Sequence, residues 1–280
     1  MALLNSTYGK ARVRIMRVKR DTARHEVREL GVQTMLTGGF DRIFTHADNA
    51  AALCTDTVKN ITWIVARENV GLDSEAFCQV LAQKFLDTYP QVETVSVTAE
   101  ETRWTRMLVD GVEQDHGFIL DANGRPVTTV EATRTRVAVT SGLSGFTFMK
   151  STESGWDNYF KDEYTTLPET RDRIAATAME ARWRWSHAPE DYAAANALIL
   201  NTMLKVFVST YSESVQDSLY RMGMAALDAV PELIDIHMAC PNKHYVPIDL
   251  KPFGMAHDNI VLLPTDEPHG QIECTVGRDP

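Results

Sequence analysis

The stretch LIDIHMACPNKHYVPIDL, residues 233–250, says most about the fold. Its even positions read Ile234, Ile236, Met238, Cys240, Asn242, His244, Val246, Ile248 and Leu250. Successive side chains of a strand point to opposite faces, so in an unbroken register these residues share one face. That face is apolar except in its middle, at Asn242 and His244. A polar group turned toward a core costs free energy unless it is partnered. The pair is therefore either a satisfied structural couple or an Asn and a His presented side by side in a pocket. His237 falls on the opposite face, so a metal site built from His237, Cys240 and His244 would require a distorted strand.

The same reasoning extends along the chain. Residues 8–18 alternate, with Gly9, Ala11, Val13 and Ile15 on one side and Tyr8, Lys10, Arg12 and Arg14 on the other. This is a half-buried strand, and residues 27–36 supply an antiparallel partner. Residues 57–67 read as a helix. Residues 73–89 read as another, because Phe77, Leu81, Phe85 and Tyr89 recur at i+4 spacing before Pro90 stops it. Strands follow at 94–106, 117–121 and 127–139, with Asn123-Gly124 marking a hairpin between the last two. The second half repeats the order: a strand at 173–185, helices at 189–208 and 215–229, and strands at 233–250 and 259–276. Val215, Leu219, Met222 and Ala226 form an apolar stripe on the second of these helices. Two helices between antiparallel strands, twice over, predict an α+β chain of two similar modules, residues 1–135 and 136–280.

Composition narrows the function. The 280 residues are 44% hydrophobic and 24% charged, ordinary globular values that exclude disorder, collagen and coiled coil. Asp plus Glu number 38 against 28 Lys plus Arg, a formal charge of −10. So acidic a chain has no general attraction to nucleic acid or anionic lipid. An anionic ligand must instead be held by local donors. The four cysteines, Cys54, Cys78, Cys240 and Cys274, are far apart and form no CxxC pair. They read as reduced thiols rather than as a disulfide framework or a zinc site. Residues 1–8 lack a secretory apolar segment, no apolar run approaches the roughly 18 residues of a membrane span, and the final Gly277-Arg278-Asp279-Pro280 is not a peroxisomal Ser-Lys-Leu address. The expectation is a cytoplasmic protein.

Several positions could carry chemistry. Lys10 lies on the polar face of the first strand, where a solvated lysine is the plain alternative. Thr55-Asp56-Thr57 and Ser214-Val215-Gln216-Asp217 open two helices. Helix starts leave backbone N–H groups unpaired and carry partial positive charge, so they can hold an anion as well as an ordinary cap. Gln216 adds an amide that both donates and accepts, suited to the edge of a planar ring. Trp156, in Ser154-Gly155-Trp156, is either core or a stacking platform, and a lone Arg173 is commonly a surface residue. Gly142 and Gly145 do not form a dinucleotide fingerprint, and P-loop, Gly-x-Ser-x-Gly and His-Glu-x-x-His patterns are all missing from the sequence.

Taken together, these segments resemble the urate oxidase (uricase) family. The resemblance runs from Tyr8-Gly9-Lys10 to Cys274-Thr275-Val276-Gly277-Arg278. Between them come Ala47-Asp48-Asn49, Thr55-Asp56, Lys59-Asn60 and Arg103-Trp104-Thr105-Arg106-Met107. Ser141-Gly142-Leu143-Ser144-Gly145, Lys150-Ser151-Thr152 and Asp162-Glu163-Tyr164-Thr165-Thr166-Leu167 continue it, followed by Asp172-Arg173-Ile174, Ser214-Val215-Gln216 and Pro241-Asn242-Lys243-His244-Tyr245. Each is weak alone; their number and order are not.

The resemblance implies two tandem tunnelling-fold modules, with antiparallel sheets carrying helices on the outer face and closing into a barrel in a homotetramer. It implies oxidation of urate by O2 to 5-hydroxyisourate and hydrogen peroxide, with O2 as co-substrate and no metal or organic cofactor. By matching position, Arg173 and Gln216 grip opposite edges of urate, and Val215 adds a backbone contact. The N–H groups of Thr55 and Asp56 complete the grip from a neighbouring chain. Lys10, Thr55 and His244 form a proton relay, and Asn242 holds O2 or water above the ring. Trp156 stands where the family usually has Phe; its larger face can still stack on urate. Nucleic acid and membrane are not expected partners. The competing expectations are another tunnelling-fold enzyme acting on a purine or pterin, and a catalytically silent purine-binding homologue.

Overall fold

Why the chain forms sheets backed by helices is visible first in its apolar spacing. The computed structural model describes residues 1–256 and 259–278, so Asp279 and Pro280 of the terminal tetrapeptide lie outside the described residues. It divides into two units at Gly142/Leu143, each taken separately below.

The first unit runs β1 (Tyr8–Lys19), β2 (Glu26–Gly38), α1 (Asp41–His46), α2 (Thr55–Glu68), α3 (Ser74–Thr88), β3 (Val92–Val109), β4 (Val112–Asp121) and β5 (Arg125–Ala132). Its strands lie in the order β1-β2-β3-β5, antiparallel throughout. Leu30, Val32, Thr34 and Leu36 on β2 are all buried, as are their β3 partners Val95, Val97 and Ala99. Helices α2 and α3 pack on β1, β3 and β5. Phe77, Leu81 and Phe85, on one face of α3, are fully buried, each contributing roughly 1.5–3 kcal/mol by burial. Asp73 caps this helix by accepting from the Ala76 N–H at 2.7 Å.

Asn123-Gly124 does form a turn, with Gly124 at φ 74°, but it does not close a hairpin. Strands β4 and β5 both pair with β3, on successive halves of its length. The strand expected over 127–139 is likewise two. A turn with the Thr133 N–H bonded to the Arg136 carbonyl ends β5, and β6 (Val137–Lys150) begins after it. The glycines and serines of 141–145 had hidden β6, and α1 is too short to show a period.

The boundary between the units falls within β6. The second unit continues with β7 (Ala175–Trp185), α4 (Tyr192–Ser209), α5 (Val215–Ala229), β8 (Leu233–Pro247), a 3-10 turn at Lys251–Phe253 and β9 (Leu262–Gly277). Strands β7, β8 and β9 are antiparallel neighbours. Ile236, Met238 and Cys240 are buried on the face of β8 read from the sequence. Its outer members are not: Ile234, Val246 and Ile248 are exposed, and Leu250 lies beyond the strand end, at the start of the 3-10 turn. Helix α5 packs on β8 and β9. A Cβ at Gly223 would meet Val276 Cγ2 at 2.7 Å, so glycine is what permits this approach. Helix α4 spans 18 residues and by length and composition alone could cross a membrane, although Asn196, Asn201, Thr202 and Lys205 interrupt its apolar residues. It packs on α5, and its Asn196 accepts from the Trp183 indole at 2.9 Å.

Candidate functional site

In the first unit the decisive feature is a bulge in β1. Tyr8, Gly9 and Lys10 pair with Leu36, Met35 and Thr34, whereas Val13 pairs with Val32. Ala11 and Arg12 therefore oppose the single residue Gln33, and Arg12 takes φ 57°. An extra residue reverses the alternation on one side of it. Lys10 consequently shares the face of Val13 and Ile15, the face that the helices cover. The strict alternation that placed it with Arg12 and Arg14 is corrected by the bulge.

That face leads to the start of α2. The Tyr8 hydroxyl accepts from the Leu53 N–H at 2.7 Å, two residues before Thr55. Cys54 is the N-cap residue and makes no side-chain cap bond. Thr55 and Asp56 are themselves the first helical residues, so neither side chain stands at the cap position. Their N–H groups precede the first intrahelical donor and have no partner within the helix. The Asp56 carboxylate turns aside to Lys59 and accepts from Asn60 Nδ2 at 3.1 Å. Lys59 holds its carboxyl below the usual range, and Lys10 contributes a smaller attraction. Lys10, Thr55 and Asp56 are thus brought to one place.

In the second unit, three segments are laced together by backbone bonds. The Gly155 N–H donates to Ser212 O at 2.9 Å, the Trp156 N–H to Thr170 O at 2.7 Å, and the Arg173 N–H to Ser154 O at 2.9 Å. A Cβ on Gly155 would lie 2.2 Å from the Tyr211 hydroxyl oxygen. The lacing carries Trp156, Arg173 and the α5 start toward one region. Ser214 caps α5 by accepting from the Asp217 N–H at 3.0 Å. The Asp217 carboxylate pairs instead with Arg221 at 2.9 Å. Val215 is half-buried, and Gln216 is exposed in the first turn.

Arg173 precedes β7 rather than opening it, and its guanidinium is half-buried. Its Nε is shielded from solvent and has no hydrogen-bond partner. Burial lowers its pKa from the ordinary arginine value, partly offset by Tyr211. A desolvated cation with an unused donor calls for an anion. Asn242 is half-buried on the inner face of β8, opposite Thr177 and Gly270. His244 lies two residues on, opposite Thr265. The extra residues that shift this register belong to β9, so β8 keeps its alternation and the pair stays on one side. No group of three or more His, Cys, Asp or Glu able to hold a metal occurs among the described residues.

Sequence reasoning missed the roles of Tyr8, Arg12, Tyr159 and Tyr211. Only the first two had a signal: a glycine inside a strand, here Gly9, often marks a bulge. The Trp156 and Tyr159 rings stack, with centroids 5.3 Å apart and planes 12° apart.

Antiparallel sheets backed by paired helices, repeated in two units, define a tandem α+β protein. The sequence profile of the uricase family matches residues 6–131 and again residues 139–273, and the chain belongs to that family. It is 36% identical to a uricase of Arthrobacter globiformis over 100% of this chain and 91% of the relative. It is 34% identical to a uricase of Oryctolagus cuniculus over 97% of this chain and 93% of that one. A crystal structure of the Arthrobacter globiformis uricase superposes with a TM-score of 0.94 at 36% identity, covering 100% of this chain and 96% of the other.

Proposed function

We propose that the chain is a urate oxidase that converts urate, O2 and water to 5-hydroxyisourate and hydrogen peroxide without a metal or organic cofactor. Family membership supports the reaction, and Arg173 is the observation that carries the substrate. A half-buried guanidinium with an unpartnered Nε offers a planar fork to one edge of a purine anion. Gln216 donates and accepts at the opposite edge, Val215 contributes its backbone, and Trp156 supplies a stacking face. The unpaired N–H groups of Thr55 and Asp56 come from a neighbouring chain in a homotetramer.

Within this proposal the chemistry is proton management. Urate at neutral pH is a monoanion. Loss of a second proton gives an electron-rich dianion able to reduce O2 by two electrons. Lys10 accepts that proton through the Thr55 hydroxyl, and His244 completes the relay. Asn242 holds O2, and then the water that adds to the oxidised ring. A cytoplasmic location belongs to the same proposal, supported by four free cysteines.

The test is direct. Chelator-treated protein is mixed with urate while ultraviolet absorbance, dissolved oxygen and peroxide are followed. Equimolar loss of urate and O2 with release of peroxide is expected. Absence of oxygen uptake rejects the assignment. Arg173→Ala should raise KM far more than it lowers kcat, and an unchanged KM would remove Arg173 from the site.

A further inference from the structure

We propose that Tyr159 is a positioning residue for the substrate platform: its ring backs Trp156, fixes the plane of the indole and thereby sets how tightly a flat purine is held. This rests on Trp156 being the ring that stacks on substrate.

The rings of Trp156 and Tyr159 are parallel within 12° at a centroid distance of 5.3 Å, so one indole face is covered by the phenol. The phenol is itself tied. Its hydroxyl donates to the Leu167 carbonyl across the loop. The Lys161 ammonium lies over its ring, 5.5 Å from the centroid. Lys161 is held in turn by Glu169 at 2.9 Å, and Glu169 accepts from the Asn158 N–H at 2.9 Å. At the root of the loop, Trp156 exchanges two backbone bonds with Thr170, and Asp157 pairs with Arg171 at 2.7 Å. Ammonium, phenol and indole are thus neighbours on a braced loop, and a ligand would take the indole face that Tyr159 does not cover.

The physical consequence is pre-organisation. An unsupported indole on a loop samples several rotamers and loses that freedom when a ligand stacks on it. A ring already held in plane has lost it on folding. The stack therefore acts on substrate binding and leaves the chemical step alone.

Kinetics with urate, and the affinity for an unreactive purine analogue, are compared for Tyr159→Ala, Tyr159→Phe and Trp156→Ala. Tyr159→Ala is expected to raise KM and the analogue Kd roughly 3- to 10-fold with kcat nearly constant. It should also shift the part of the fluorescence that disappears in a Trp156→Ala background. Tyr159→Phe keeps the stack and should stay near the parent values. Should the alanine variant unfold, Tyr159→Leu retains bulk without a π face and should show the same rise in KM. An unchanged KM in Tyr159→Ala, alongside a raised KM in Trp156→Ala, overturns the role of Tyr159 alone. An unchanged KM in Trp156→Ala overturns the platform itself. A lower KM in Tyr159→Ala would mean that the phenol occupies the substrate's face, which also overturns the proposal.

Discussion

Lys10 lies directly opposite Thr34 in the β1–β2 ladder, and Thr34 is only 1% exposed. The relationship puts a lysine on the helix-covered side of its sheet, beside the start of α2, although its neighbours Arg12 and Arg14 point outward. The bulge at Ala11-Arg12 is the device, and Gly9 makes room for it. A Cβ at Gly9 would fall 1.8 Å from the Thr34 carbonyl oxygen, a backbone atom that cannot swing away.

Gly9→Ala is therefore expected to displace the strand next to Lys10 and to destabilise the fold by about 1–3 kcal/mol. Turnover should fall at least as far as stability. Deleting Arg12 removes the bulge but leaves Lys10 two residues before Val13, still on its face under strict alternation, so activity should stay well above the level of Lys10→Met. Steady-state assays and thermal melts on the three variants check this. A deletion variant as inactive as Lys10→Met would mean that the facing of Lys10 does not account for its placement.

Most elements were legible where period and composition agreed. Phe77, Leu81 and Phe85 fix α3 by spacing alone, and α5 begins and ends where the sequence places it. The candidate site residues could be named from the sequence, but their arrangement could not. Lys10 was assigned the wrong face because a bulge inserts one residue without changing the local polarity pattern. The Trp156–Tyr159 stack and the Gly155–Tyr211 contact lie in loops, whose geometry follows from backbone bonds to segments distant in sequence. No periodicity in residues 153–173 reports those partners.

Gly155 gives a second prediction. The contact it avoids is with the tip of Tyr211, whose hydroxyl donates to Arg171 O at 2.8 Å. Gly155→Ala should force Tyr211 aside, loosen the lacing that carries Trp156 and raise KM for urate. Gly155→Ala combined with Tyr211→Phe removes the clashing oxygen and should recover part of the loss. Strict additivity of the two effects, read from a double-mutant cycle, would show that the contact does not matter.

Alkaline pH probes the interior. Burial raises the Cys78 thiol strongly and pushes Cys240 up to about 12. In the unfolded chain these thiols titrate near about 8.5. The folded protein therefore keeps protons that the unfolded chain releases, and stability must fall as pH rises above that value. Between roughly pH 7.5 and 9.5 each thiol should remove about 1.4 kcal/mol of unfolding free energy. Urea titrations under reducing conditions measure it. Cys78→Ala and Cys240→Ala should each flatten the slope by one such contribution, whatever they do to absolute stability, and an unaltered slope would contradict the burial of that thiol.

The start of α2 sets stability against binding. Asp73, Asp191 and Ser214 cap α3, α4 and α5 by accepting from Ala76, Ala194 and Asp217, at 2.7, 3.0 and 3.0 Å. The Cys54 side chain, at the same position of α2, makes no cap bond. Cys54→Asp would supply the missing acceptor and is expected to stabilise the protein by about 1 kcal/mol. The new carboxylate would also place negative charge where the Thr55 and Asp56 N–H groups are proposed to meet an anionic purine. KM should therefore rise roughly tenfold, the effect of about 1.4 kcal/mol of lost attraction. Cys54→Ser caps without adding charge and should give a smaller gain in melting temperature with little change in KM. Thermal melts and initial rates on the same preparations separate the two effects. A Cys54→Asp enzyme that is more stable and binds urate as well as its parent would place the substrate elsewhere.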